Sequence, residues 1–175
     1  MSVSARRPLA QLRNRWRGIV TLLLAASAIP ALAAQSSVDR AQLDQAFPRS
    51  SLKIATLDAR LHPFDIWIAD TDQRRARGLM FVKQLDADTG MLFIYPGSQT
   101  VAMWMKNTFI PLDMLFVSAA GRVVKVVENT EPQSLKTIES GQPVRAVIEL
   151  SAGTASKLHI SAGAQIMHPL FSDNP

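Results

Sequence analysis

Met103-Trp104-Met105-Lys106-Asn107-Thr108-Phe109-Ile110-Pro111-Leu112-Asp113-Met114-Leu115-Phe116 is the densest mixture of large apolar, charged and turn-forming residues in this 175-residue chain. Strand alternation puts Trp104, Lys106 and Thr108 on one face of a first strand and Met103, Met105 and Asn107 on the other. Pro111 has no N–H to give to a ladder, so it marks a break or a strand edge. From Leu112 a second strand runs with apolar residues on both faces, the pattern of a strand buried in the middle of a sheet. Asp113 alone interrupts it. A carboxylate in that position must be paired, hydrogen-bonded or held at a strand mouth, and Lys106 is the nearest cation in sequence.

Outward from this centre, short apolar runs alternate with turn signals. Leu52, Ile54 and Thr56 alternate with Lys53, Ala55 and Leu57 as a strand; Pro63 closes a turn, and Phe64, Ile66 and Ile68 begin the next. Asp70 followed by Gln73 predicts an N-cap and its partner for a helix over 71–77, ended by Gly78. Asp86-Ala87-Asp88-Thr89-Gly90 opens like a calcium loop, but its glycine comes one place too early and Gly97 stands where a bidentate Glu is needed, so it reads as a turn. Met91 to Tyr95, Val123 to Val127, Val144 to Leu150 and Ala164 to His168 read as further strands, and Ser151 as the cap of a helix over 153–159. Asn129 to Pro143 is a polar loop long enough to border a site. The expectation is an α+β fold, mostly β: a small antiparallel-dominated barrel with two short helices.

The net charge of +5 comes from the N-terminus. Five of the 19 basic residues and none of the 14 acidic ones lie in residues 1–33, which leaves 14 against 14 for the remainder. The basicity therefore predicts no nucleic-acid partner. Residues 1–33 have an Arg-rich start, an apolar run from Ile19 to Ala28 and Ala31-Leu32-Ala33 as a cleavage site, the three parts of a secretory signal. The expected organisation is a signal peptide (1–33), a linker (34–50) with a weak helical turn over 41–46, one domain (51–168) and a tail (169–175). The destination is the periplasm, with no membrane span left after cleavage. The chain has no Cys, which excludes thiol catalysis, disulfides and Cys-ligated metals.

Four motifs occur in order: Arg77-Gly78-Leu79-Met80-Phe81; Gly90-Met91-Leu92-Phe93; Trp104-Met105-Lys106-Asn107-Thr108 with Ile110-Pro111-Leu112-Asp113; and Glu149-Leu150 with Ala152-Gly153. In these the chain resembles the bacterial and archaeal family called domain of unknown function 192, from about Ser51 to His168. The resemblance implies a compact β-rich fold, common among exported proteins, and no particular reaction. The sequence departs from the family pattern at Met103, His159 and Ala164-Gln165, and the last change removes a carboxylate.

The candidate ligand-binding residues are Arg77, Trp104, Lys106, Asn107, Asp113 and Glu149. Converging at a barrel mouth, they would let Asp113 or Glu149 act as acid or base while Lys106 or Arg77 holds an anionic group. The bland alternative is a Lys106–Asp113 ion pair with Arg77 and Glu149 paired elsewhere. No catalytic motif is spelled out, and no cofactor is called for. Met103 and Met105 form a candidate Cu(I) or Ag(I) site, set against the commoner role of Met as core filler. His62, His159 and His168 have no ligand-like spacing, so no metal is expected from them. The readings carried forward are a binding or accessory module for a small molecule or envelope protein, a cofactor-independent enzyme, and a soft-metal binder.

Overall fold

The computed structural model describes Met1, Gln35 and residues 39–172. The expected signal peptide, Met1 aside, and the end of the tail lie outside the described residues. Helix α1 covers 39–46. It is followed by β1 (Arg49–Ala55), β2 (Leu61–Ala69), α2 (Asp72–Arg77), β3 (Thr89–Gln99), β4 (Ala102–Met103), β5 (Leu112–Val117), β6 (Val123–Val127), β7 (Ile138–Glu139), β8 (Val144–Ser151), α3 (Thr154–Leu158) and β9 (Gln165–Met167). No described helix is long and apolar enough to cross a membrane.

Seven strands form one sheet in the order β6-β5-β8-β3-β2-β1-β9, while β4 and β7 pair separately. Only β2 and β3 run parallel, because the chain between them crosses over through α2. The sheet curls until its two edges touch: Val123 N–H donates to the Ala164 carbonyl at 2.9 Å, and Ile166 N–H to the Gly121 carbonyl at 2.7 Å. Gly121 is required there, since its φ is +72° and a Cβ would come within 2.8 Å of the Gln165 amide nitrogen. The expected mostly-β, barrel-like α+β fold is the observed one.

Both faces of the central strands are dry. Successive residues of a strand point to opposite faces, and two apolar clusters receive them. Leu115, Val117, Ile148 and Leu150 join Ile54, Ile66, Leu92 and Ile166 in one cluster. Leu112, Met114, Phe116 and Val147 join Met91, Phe93, Trp67 and Leu43 in the other. This explains the unbroken apolar reading of β5.

Asp113 is fully buried, and its carboxylate is bonded to backbone. One oxygen accepts from Asn129 N–H at 2.9 Å and the other from Ala155 N–H at 2.8 Å. Ala155 lies in the first turn of α3, whose N-cap Gly153 has no side chain to offer. A carboxylate borrowed from the neighbouring strand thus supplies the missing cap. The expected Ser151 cap is absent; that hydroxyl donates instead to the Leu85 carbonyl at 2.9 Å. Likewise α2 is capped by the Thr71 hydroxyl rather than Asp70, which pairs with Arg74 at 2.7 Å.

Two further expectations change. Residues 39–46, read as linker with a weak turn, form a packed helix with Leu43 and Phe47 buried in the second cluster. The Asp39 carboxylate accepts from Lys83 and Gln84 N–H, and Asp44 accepts from the Trp67 indole at 2.8 Å. With so few apolar residues over 39–46, the segment carries almost no periodic signal. The strand expected over 103–108 stops at Met103. Asn107 turns left-handed at φ +56°, and the segment bonds loops rather than a ladder, with Met105 N–H donating to the Ser134 carbonyl.

Leu43→Ala is expected to cost roughly 2–4 kcal/mol of unfolding free energy by chemical denaturation, as for other buried leucines. A cost near zero would return 39–46 to linker status. Asp113→Asn leaves one of two buried backbone donors poorly served and should cost about 1–3 kcal/mol. Lys106→Met should change stability by no more than about 0.5 kcal/mol.

Candidate functional site

The alternation that builds the two clusters also separates the two carboxylates. In the antiparallel register Asp113 lies opposite Leu150, and Glu149 opposite Met114. Opposed residues share a face, so Asp113 points to the first cluster and Glu149 to the second. They stand on opposite sides of the sheet and cannot act as an acid/base pair. Lys106 does not approach Asp113 as an ion pair; its ammonium sits 5.7 Å from the Trp104 ring centroid. The expected Lys106–Asp113 contact is absent because backbone N–H groups already occupy both Asp113 oxygens.

On the Glu149 side a cleft of about 220 Å³ opens between α2, β3, β8 and the 102–108 segment. Glu149, 4% exposed, is held between Met91 of β3 and Met114 of β5. Phe93, Tyr95, Leu79, Met80 and Met103 form the walls. Gly78 has φ +47°, and a Cβ there would come within 3.0 Å of the Phe93 ring, so glycine lets α2 close against the wall. The Tyr95 hydroxyl donates to the Met103 sulfur at 3.3 Å.

The rim is cationic and aromatic. Arg75 is tied down by three contacts: it donates to the Ile94 carbonyl at 2.6 Å and the Asp70 carbonyl at 2.7 Å, and pairs with Asp72. Arg77 and Lys106 also line the cleft, and neither has an ion pair among the described residues. Each instead lies by an aromatic ring, Arg77 at 5.3 Å from the Phe47 centroid. Trp104 is 54% exposed at the mouth.

Backbone strain fixes this rim. Phe81 and Asn107 both adopt positive φ, at +69° and +56°, which for Phe is a costly conformation. Phe81 N–H donates to the Asn107 carbonyl at 2.9 Å, so the first motif is joined to the third at the point of strain.

The cleft therefore gathers Arg77, Trp104, Lys106 and Glu149 from the expected set and leaves out two. Asn107 holds the loop, and Asp113 lies across the sheet. Sequence reading left Arg75 and Tyr95 out of the site, placed Met80 only in a family motif, and weighed Met103 as a metal ligand against core filler. A signal for Tyr95 was present: it follows Met91 and Phe93 at strand spacing, on the face that Glu149 shares. Met105 does not line the cleft; its sulfur accepts from the Thr130 hydroxyl at 3.2 Å within the second cluster. Among the described residues no His, Asp and Glu cluster could hold a metal ion.

Burial pushes Glu149 up from 4.5 to about 8, and no hydrogen bond to its carboxyl occurs among the described residues. The group is therefore neutral at pH 7. Tyr95 is pushed up to about 12 by burial, with the Glu149 charge adding to the effect and Arg75 opposing it.

Fold and cleft together define a small β-rich domain with one buried acid, Glu149, set into an apolar floor. The chain belongs to the family described as Uncharacterized ACR, domain of unknown function 192, which matches residues 53–168. A Sinorhizobium meliloti 1021 protein, provisionally assigned as a transcription regulator, is 38% identical with a TM-score of 0.68, over 69% of this chain and 93% of that one. A protein of unknown function from Novosphingobium aromaticivorans DSM 12444 is 30% identical with a TM-score of 0.66, over 69% of this chain and 85% of that one. No curated protein matches.

Between pH 4.5 and about 8 the folded protein holds a proton on Glu149 that the unfolded chain has released. Stability contributed by this site therefore falls as pH rises through that window and is level above it. Glu149→Gln should flatten the decline and exceed the parent at pH 9 by up to roughly 5 kcal/mol, at 1.36 kcal/mol per pKa unit. Denaturation curves at pH 5 and pH 9 measure this; parallel behaviour of parent and variant would contradict it.

Proposed function

We propose that the protein is an exported small-molecule-binding domain whose ligand sits in the cleft over Glu149. The observation that carries this reading is Glu149 itself, a nearly buried acid in an apolar bed that opens on a cavity. A fold gains nothing from such a group: it costs solvation and here receives no partner among the described residues. Acids set this way mark sites where the proton or the hydrogen bond is used. The cleft is smaller than the roughly 300–1,000 Å³ common for drug-sized ligands, which favours a compact molecule over a polymer or peptide. Export is supported by the leader over residues 1–33, and the balanced charge of the remainder gives no support to DNA binding.

A second reading has one observation in its favour. Glu149 carries its proton at neutral pH, as a general acid must. Asp113 has no part in that chemistry, and the other carboxylate lining the cleft, Asp72, is paired with Arg75. Copper or silver binding through Met103 and Met105 draws no support: one sulfur faces the cleft, the other is packed away, and the rim cations oppose a metal ion.

A fragment screen by ¹⁵N NMR on the full chain tests the main reading. Hits should move the Gly78 amide and the Trp104 indole, and Met103→Trp, which fills the cleft, should abolish them while the fold persists. Hits confined to other surfaces would refute it. Export predicts a mature N-terminus at Ala34 in the periplasmic fraction, read by N-terminal sequencing.

A further inference from the structure

We propose that the ligand is a small organic anion with an apolar body. Its anionic group is held at the mouth by Lys106, and a neutral hydrogen-bond acceptor is turned toward Glu149 at the floor. This assignment rests on the cleft reading and gives it a chemical class.

The mouth supplies the first half. Of the three cations lining the cleft, Arg75 gives N–H groups to two carbonyls and to Asp72, and Arg77 turns its guanidinium to Phe47 in a neighbouring groove. Lys106 meets only the Trp104 ring among the described residues, which keeps its ammonium N–H groups available as an oxyanion seat. An amine entering here would face that unneutralised positive charge. The middle is apolar: Phe93, Leu79 and Met80, with Met103 pinned by the Tyr95 hydroxyl, enclose room for one ring or a short chain.

The floor supplies the second half. Protonated Glu149 is a donor with no acceptor among the described residues, between Met91 and Met114. A ligand oxygen without charge satisfies it, whereas a second anionic group would have to give up its hydration in an apolar bed. The charged and titratable groups facing Glu149 across the cleft are Tyr95, Arg75, Arg77, Lys106 and Asp72. Tyr95 stays neutral to about pH 12, the guanidinium groups stay charged, and Asp72 is paired with Arg75. Ionisation of Glu149 removes the donor and adds repulsion, so anion binding weakens as pH rises past it.

Three probes of one shape separate the possibilities: 4-methoxybenzoate, 4-methoxybenzyl alcohol and 4-methoxybenzylamine, titrated by NMR into the full chain at pH 6.5. The benzoate should shift Gly78 and Trp104 saturably and bind several-fold tighter than the alcohol, with the amine weakest. Lys106→Met should weaken the benzoate several-fold and leave the alcohol unchanged. At pH 9 the benzoate should bind the parent roughly tenfold more weakly, one decade per pH unit above the titration. Glu149→Gln, which stays a neutral donor, should bind alike at both pH values. If the amine or the alcohol binds the cleft best, the anion assignment is overturned and the cleft reading stands. If none of the three reaches Gly78 and Trp104, both fall together.

Discussion

A sheet that is dry on both faces governs everything else in this domain. Strands β3, β5 and β8 send alternate side chains into two separate apolar clusters, so no polar group enters either face without a specific arrangement to receive it. Two acids do enter, one on each face, and they are received in opposite ways. Asp113 is given two backbone donors and becomes part of the scaffold. Glu149 is given none and keeps its proton instead. The two carboxylates differ in the presence or absence of backbone N–H groups at the end of the side chain.

The cleft follows from the one parallel connection in the sheet. Because β2 and β3 are parallel, the chain must cross between them, and the crossover lays α2 over the face that holds Glu149. Gly78 ends α2 close against Phe93, and the two left-handed residues Phe81 and Asn107 bond the crossover to the loop carrying Trp104 and Lys106. The family motifs are therefore not scattered. The first ends α2, the second supplies one flank of Glu149, the third forms the rim, and the fourth is Glu149 itself.

Much of this was legible in the sequence. Period-two alternation in β1 and the first part of β2, the continuous apolar run of β5 and the Gly78 stop are local signals, and the structure keeps them. What was lost needed register. Trp104, Lys106 and Asp113 look close along the chain, but only the pairing of Asp113 with Leu150 and Glu149 with Met114 shows which face each acid occupies. The strand expected over 103–108 failed for a related reason, since Asn107 tolerates the left-handed region and so permits a turn that hydrophobic patterning cannot reveal. Helix α1 was missed because it is held by long-range bonds, Asp39 to Lys83 and Gln84 and Asp44 to Trp67, and by just two large apolar residues. Arg75 and Tyr95 entered the site through the α2 crossover, a tertiary event.

The central claim is that Glu149 is kept as a neutral acid at the floor of a cleft. It is tested most directly by a ¹³C NMR titration of its side-chain carboxyl in the intact protein, assigned by comparison with Glu149→Gln. A midpoint near pH 8, accompanied by shifts at Tyr95 and the Met91 and Met114 methyl groups, is the predicted result. A midpoint at the ordinary value near 4.5 would mean that the carboxylate is solvated or paired, and the account of the site would be wrong.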